Sequence, residues 1–101
     1  MAKKQMLLTK ANLKSLPAIY SQEDKGDDAI VQVKFFTPWS NWTWYATEYD
    51  PEQGLFFGLV DGHEKDLGYF SLAELESARG PFGLLIERDL WFKPTRIGDL
   101  R

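Results

Sequence analysis

Cysteine is absent from this chain. That excludes disulfide staples, thiolate metal sites and cysteine nucleophiles, and it fits a reducing compartment. Histidine occurs once, as His63. With nearby carboxylates it offers a general base or a metal ligand, but no Ser, Cys or second His stands at the spacing of a catalytic triad, so His63 reads as a solvated turn residue. Long apolar runs are also missing. The basic opening MAKKQMLLTK holds only Met6–Leu8 in succession and no small-residue cleavage site follows, so no signal peptide is expected. No stretch approaches the length that spans a bilayer. The expectation is a cytoplasmic protein with no membrane partner. Low-complexity segments and internal repeats are lacking as well.

Basic side chains are scarce in the body of the chain. Residues 1–20 hold Lys3, Lys4, Lys10 and Lys14 and no acid, whereas residues 21–101 hold 8 basic and 15 acidic groups, a net of −7. A duplex-DNA binder shows a basic face, and this body has none. The lysines read as a solvated face, with a small phosphate-contacting patch as the alternative.

What is abundant is aromatic surface. Rings make up 15% of the residues, enough to let a chain of 101 residues bury one modest core. They concentrate in FFTPWSNWTWYATEY, residues 35–49, which reads as the turn and second strand of a β-hairpin. Alternation puts Trp42, Trp44, Ala46 and Glu48 on one face, and Thr43, Tyr45, Thr47 and Tyr49 on the other.

The remaining elements follow from local signals. Thr9 is a helix N-cap ahead of KANLKSL, with Leu13 and Leu16 on one face and Pro17 as the stop. Residues 20–28 are a polar loop. Ala29–Phe36 is a strand in which Val31, Val33 and Phe35 point one way. Turns at Asp50–Gly54 and Asp61–Asp66 separate strands at Leu55–Val60 and Leu67–Phe70. Ser71-Leu-Ala-Glu74 is a capping box opening a helix to about Ala78. Leu84–Phe92 reads as extended. The expected order is α-β-β-β-β-α-β. This is one α+β domain over residues 1–101, an antiparallel sheet of four to five strands with one or two short helices. Residues 1–6 and 95–101 are expected to be mobile.

Candidate sites are few. Trp39, Trp42 and Tyr45, with Trp44, form either core plus an exposed patch, a protein-binding patch, or a stacking platform for single-stranded nucleic acid. Trp39, in the turn after Pro38, is the ring least suited to the core. Glu23, Asp24, Asp27 and Asp28 surround Gly26, but their spacing does not fit an EF-hand, so no metal site is read there. Asp24, Asp27 and Asp28 are instead taken as partner-binding groups. Gly80-Pro81-Phe82-Gly83 is not a phosphate loop, because no Lys-Ser or Lys-Thr follows. No catalytic residue and no cofactor is expected.

Four segments together carry a resemblance: LLTKANLKSLPAIYSQEDKGDDAIVQVKFFTP, WTWYATE, FFGLVDGHEKDLGYFSLAELESARGP and ERDLWFKP, spanning residues 7–94. The chain resembles a family of small bacterial proteins of unknown function, found on plasmids, integrative elements and phages, often beside anti-restriction and DNA-transfer genes. The resemblance implies accessory or anti-defence work and supplies no catalytic residue. The sequence is therefore read as a non-enzymatic interaction protein of a mobile element that inhibits a host or phage-defence protein by binding it. The alternative is a single-stranded nucleic-acid binder using the same rings. Self-association is left open.

Overall fold

The computed structural model describes residues 6–101. The expected frayed start, residues 1–6, lies outside them except for exposed Met6. The first helix, α1 (Lys10–Ser15), opens as the sequence signals. The Thr9 hydroxyl accepts from Asn12 N–H at 3.1 Å and the Asn12 side chain accepts from Thr9 N–H at 3.0 Å. Two orphan amides of the first turn are thereby satisfied. Leu16, at its C-cap, is buried; Leu13, expected on the same face, is exposed.

A five-stranded antiparallel sheet forms the body. Its strands are β2 (Val33–Phe36), β3 (Thr43–Asp50), β4 (Leu55–Asp61), β5 (Lys65–Ser71) and β6 (Glu87–Arg88), in the order β5-β4-β3-β2-β6. The run β2 to β5 is a meander, as short turns between alternating segments demand. A second sheet pairs β1 (Ile30–Val31) with β7 (Thr95–Arg96), placing Ile30 opposite Arg96. The fold is thus α+β, with one more small sheet than the sequence suggests.

Three local departures from simple alternation shape it. The expected single strand 29–36 breaks at Gln32, because β1 and β2 have different partners. Val31 therefore joins one core and Val33 the other. In β3 the register shifts between Ala46 and Glu48, a bulge that makes Thr47 the extra residue. Beyond it the faces exchange: Tyr49 packs with Ala46, and Glu48 goes to the opposite side. Lastly, Leu84–Phe92 is not one strand. Only Glu87–Arg88 pairs, against Phe36 and Phe35, while Ile86 is buried and Leu90 and Trp91 turn outward. Asp89 causes that turn by accepting the Trp91 N–H at 2.9 Å.

Each face of the sheet is covered. On one, Val33, Phe35, Ala46, Tyr49, Phe56 and Phe70 form the main core with Leu7, Leu16, Ile86 and Leu75 of α2 (Leu72–Ser77). Phe35 and Phe56 meet edge to face at 5.4 Å and are fully buried, each ring worth about 2 kcal/mol of transfer free energy. On the other, Ala29, Val31 and Ile97 pack with Tyr45, Leu67, Phe92 and Leu100. Residues 95–101, expected to be mobile, supply β7 and a 3₁₀ turn (Ile97–Asp99), and Ile97 is 1% exposed. Buried Ile97, with Leu100 packed beside it and β7 paired to β1, ties in a segment that reads as polar.

Candidate tryptophan cleft

The turn from Thr37 to Trp42 builds one wall of an open cleft. Thr37 N–H donates to Trp42 O at 3.0 Å, and the Thr37 hydroxyl accepts from Trp42 N–H at 3.2 Å and bonds Ser40. Buried Thr37 thus locks the loop and fixes where Trp39 and Trp42 emerge. Trp44 follows on β3, with its ring 5.8 Å from that of Trp42. α2 supplies the facing wall. The Ser71 hydroxyl accepts from Glu74 N–H at 3.0 Å and donates to Glu74 Oε1, so the reciprocal half of the cap is side chain to side chain rather than to the Ser71 backbone. Glu74, Leu75 and Ala78 line the cleft opposite the indoles, with Phe70 and Ile86 at its base.

The open space is about 480 Å³, within the range of ligand-binding clefts. Two glycines define its shape. A Cβ on Gly62 would lie 2.4 Å from the Trp42 ring, and one on Gly80 would lie 2.3 Å from the Trp39 ring. Both rings rest flush on backbone that no side chain could share. His63 stands edge-on to Trp42 at 5.3 Å between ring centres. The cleft's side-chain oxygens are the Thr37 and Ser40 hydroxyls and the Glu74 carboxylate, and among the described residues its lining includes no Lys, Arg or His.

The sequence-predicted site residues do not share one surface. Trp39 and Trp42 meet in the cleft. Tyr45 lies on the opposite face of the sheet, 6.1 Å from the Phe92 ring, with Lys34 Nζ over it at 5.8 Å. Asp24 is exposed in the 3₁₀ segment Glu23–Asp28. Asp27 and Asp28 are held by the C-terminal arginines: Arg96 Nη2 to Asp28 Oδ1 at 2.8 Å and Arg101 Nη1 to Asp27 Oδ1 at 3.3 Å. Its hydrogen bond to Asp28 raises the Arg96 pKa further, with the nearby Asp99 and Asp28 charges adding to it. Among the described residues, no group of three or more His, Cys, Asp or Glu side chains is placed to hold a metal ion. Also among them, no helix is long and apolar enough to cross a membrane.

Sequence reasoning passed over three residues that matter to the surface. Glu74 was visible only as a capping residue, and its second role depends on where α2 packs. Trp91 is 90% exposed and Phe82 is wholly exposed, the latter at φ 57°. The Asp89-Leu90-Trp91 turn was the available signal for Trp91, hidden inside an apolar run. A second hollow of about 590 Å³ lies between Leu13, Leu16, Ile19 and Tyr49. Its one charged residue, Asp50, is engaged by Glu52 N–H and Gln53 Nε2, both at 3.0 Å, so it offers little directional chemistry.

No curated protein and no solved structure matches this chain. Residues 7–97 match the family described as protein of unknown function (DUF2958), which takes in both capping boxes, the aromatic hairpin and α2. With nine-tenths of its length inside that match, the chain belongs to the DUF2958 family.

Proposed function

We propose that this protein is a non-enzymatic accessory protein that acts by binding another protein, with the tryptophan cleft as its docking site. One observation carries the reading: three indoles border open space that the fold itself does not fill. Tryptophan is enriched at the energetic centres of protein interfaces, where a large ring with a polar N–H is desolvated by the partner. The Thr37 and Ser40 hydroxyls bond each other, and His63 presents its edge to Trp42; neither arrangement activates a nucleophile. The mobile-element and anti-restriction context that the resemblance implies supports a host or phage-defence protein of the cytoplasm as the proposed partner. Asp24, Tyr45 and the arginine-held Asp27 and Asp28 do not line this cleft.

The same rings suit base stacking, the second reading. It lacks the cations that follow a phosphate backbone, since the cleft lining holds none.

The test is affinity capture from a bacterial host with N-terminally tagged protein, with and without nuclease, comparing wild type with Trp39→Ala/Trp42→Ala. The expected result is a stoichiometric, nuclease-resistant protein partner that the double variant loses while keeping its circular dichroism spectrum, at a lowered melting temperature because Trp39 packs on the main core. A partner retained by the folded double variant overturns the docking site. Capture abolished by nuclease transfers the case to nucleic acid.

A further inference from the structure

The cleft combines three features: indole walls, a carboxylate, and no cation among the described lining residues. Trp39, Trp42 and Trp44 line it with indole rings, whose π faces carry a negative quadrupole. Glu74 is exposed on the facing wall. Its bond from Ser71 uses one of about four lone-pair positions, so the carboxylate is still able to receive a donor. The first cation along the chain after the cleft's helix wall is Arg79, one residue beyond Ala78. It is turned back along the helix end, with Nη1 donating to the carbonyls of Glu76 at 2.8 Å and Ala78 at 2.9 Å.

We infer that the cleft receives an arginine side chain from the partner protein. This rests on the reading of the cleft as a docking site and names the chemistry of its occupant. Charge complementarity points to a cation, since the cleft offers π faces and a carboxylate and the body of the chain from residue 21 carries a net of −7. Arginine fits better than lysine. Its guanidinium is planar and weakly hydrated, so it stacks on an indole while its N–H fork turns to a carboxylate. An ammonium keeps its water more tightly and lacks a flat face.

The probe is the peptide acetyl-Gly-Arg-Gly-amide, compared with its citrulline and lysine counterparts, added to ¹⁵N-labelled protein. The indole N–H signals of the four tryptophans report binding, and Trp91, 90% exposed and outside the cleft, serves as the internal control. Saturable shifts are expected at Trp39, Trp42 and Trp44 with the arginine peptide. Affinity should fall about tenfold with neutral citrulline and about threefold with lysine. Glu74→Gln keeps a residue competent in the capping box and should weaken the arginine peptide about fivefold while leaving citrulline binding unchanged. Equal binding of arginine and citrulline, an unaffected Glu74→Gln, shifts confined to Trp91, or no saturation at all overturns the inference. If partner capture is lost in Trp39→Ala/Trp42→Ala but the peptide series fails in any of these ways, the docking site stands and only the arginine is withdrawn.

Discussion

Behind Tyr45 the sheet is closed by chain brought from both sides of the meander. Ala29 and Val31 arrive from before it and Ile97 from after it, and at the rim Arg96 and Arg101 neutralise Asp28 and Asp27. Over Trp44, the opposite face is closed only in part. Leu75, Ile86 and Phe70 seal the deeper layer, and the indoles border open space beside a carboxylate that forms no salt bridge among the described residues. One face thus uses its apolar surface and its charges on itself, and the other, beside the main core, leaves part of its indole surface and a carboxylate at open space. On the closed face the residues serve the fold alone, whereas Trp39 and Trp44 pack against the main core and also border the open space.

That separation can be broken most directly at Ile97. Ile97→Ala removes a side chain that is 1% exposed at the centre of the closed face. It should cost about 3 kcal/mol, read as a lowered urea midpoint, with the indole signals of the cleft unmoved. Loss of the cleft signals in the folded variant would show the faces to be coupled.

The next effect comes from Glu48, 1% exposed beyond the bulge. Its carboxylate accepts from Tyr20 N–H at 2.5 Å and from Gln22 N–H at 3.1 Å, and so holds Tyr20 at φ 70°. Glu48→Gln replaces one of the two acceptor oxygens with a donor. A loss of about 2 kcal/mol is expected, with faster amide exchange at Tyr20 and Gln22. Unchanged exchange at both amides would mean that the loop is held by other contacts.

Gly80→Ala sharpens the comparison from the open side. Its Cβ must displace Trp39, so the Trp39 indole signal should shift and peptide or partner binding weaken, for about 1 kcal/mol of stability. Binding unaffected by a displaced Trp39 would remove that ring from the docking site. Arg96→Ala should have the smallest effect. The pair is exposed on both sides, so the urea midpoint should move slightly at low salt and not at all at high salt. A large loss that persists in salt would show that the C-terminal segment is held by its charges rather than by Ile97.

The parts of the fold that were legible in sequence are those set by near neighbours. Thr9 and Ser71 announce their helices through residues three positions on, and the meander follows from alternation between short turns. The bulge at Thr47 was not legible. Its neighbours alternate perfectly on paper, and only the pairing with β4 decides that Tyr49 and not Glu48 faces the main core. The break at Gln32 is hidden for the same reason, since β7 is remote in sequence. For the cleft, Trp39 and Trp42 were evident from composition, but Glu74 reaches them only through the packing of α2. Tyr45 was grouped with the tryptophans because it adjoins them in the chain, although a strand sends adjacent residues to opposite faces.

The pairing of Ile30 with Arg96 also sets an order of events. The hairpins of the meander close over a few residues and can form early, whereas β1 must wait for a strand about two-thirds of the chain away, with the larger loop-closure entropy this entails. During synthesis, β2 to β5 therefore emerge and pair while Tyr45 and Leu67 are still uncovered by Ile97. Until residues 95–97 leave the ribosome, the nascent chain carries an apolar sheet face open to water, a transient surface for chaperones to cover and for neighbouring chains to find.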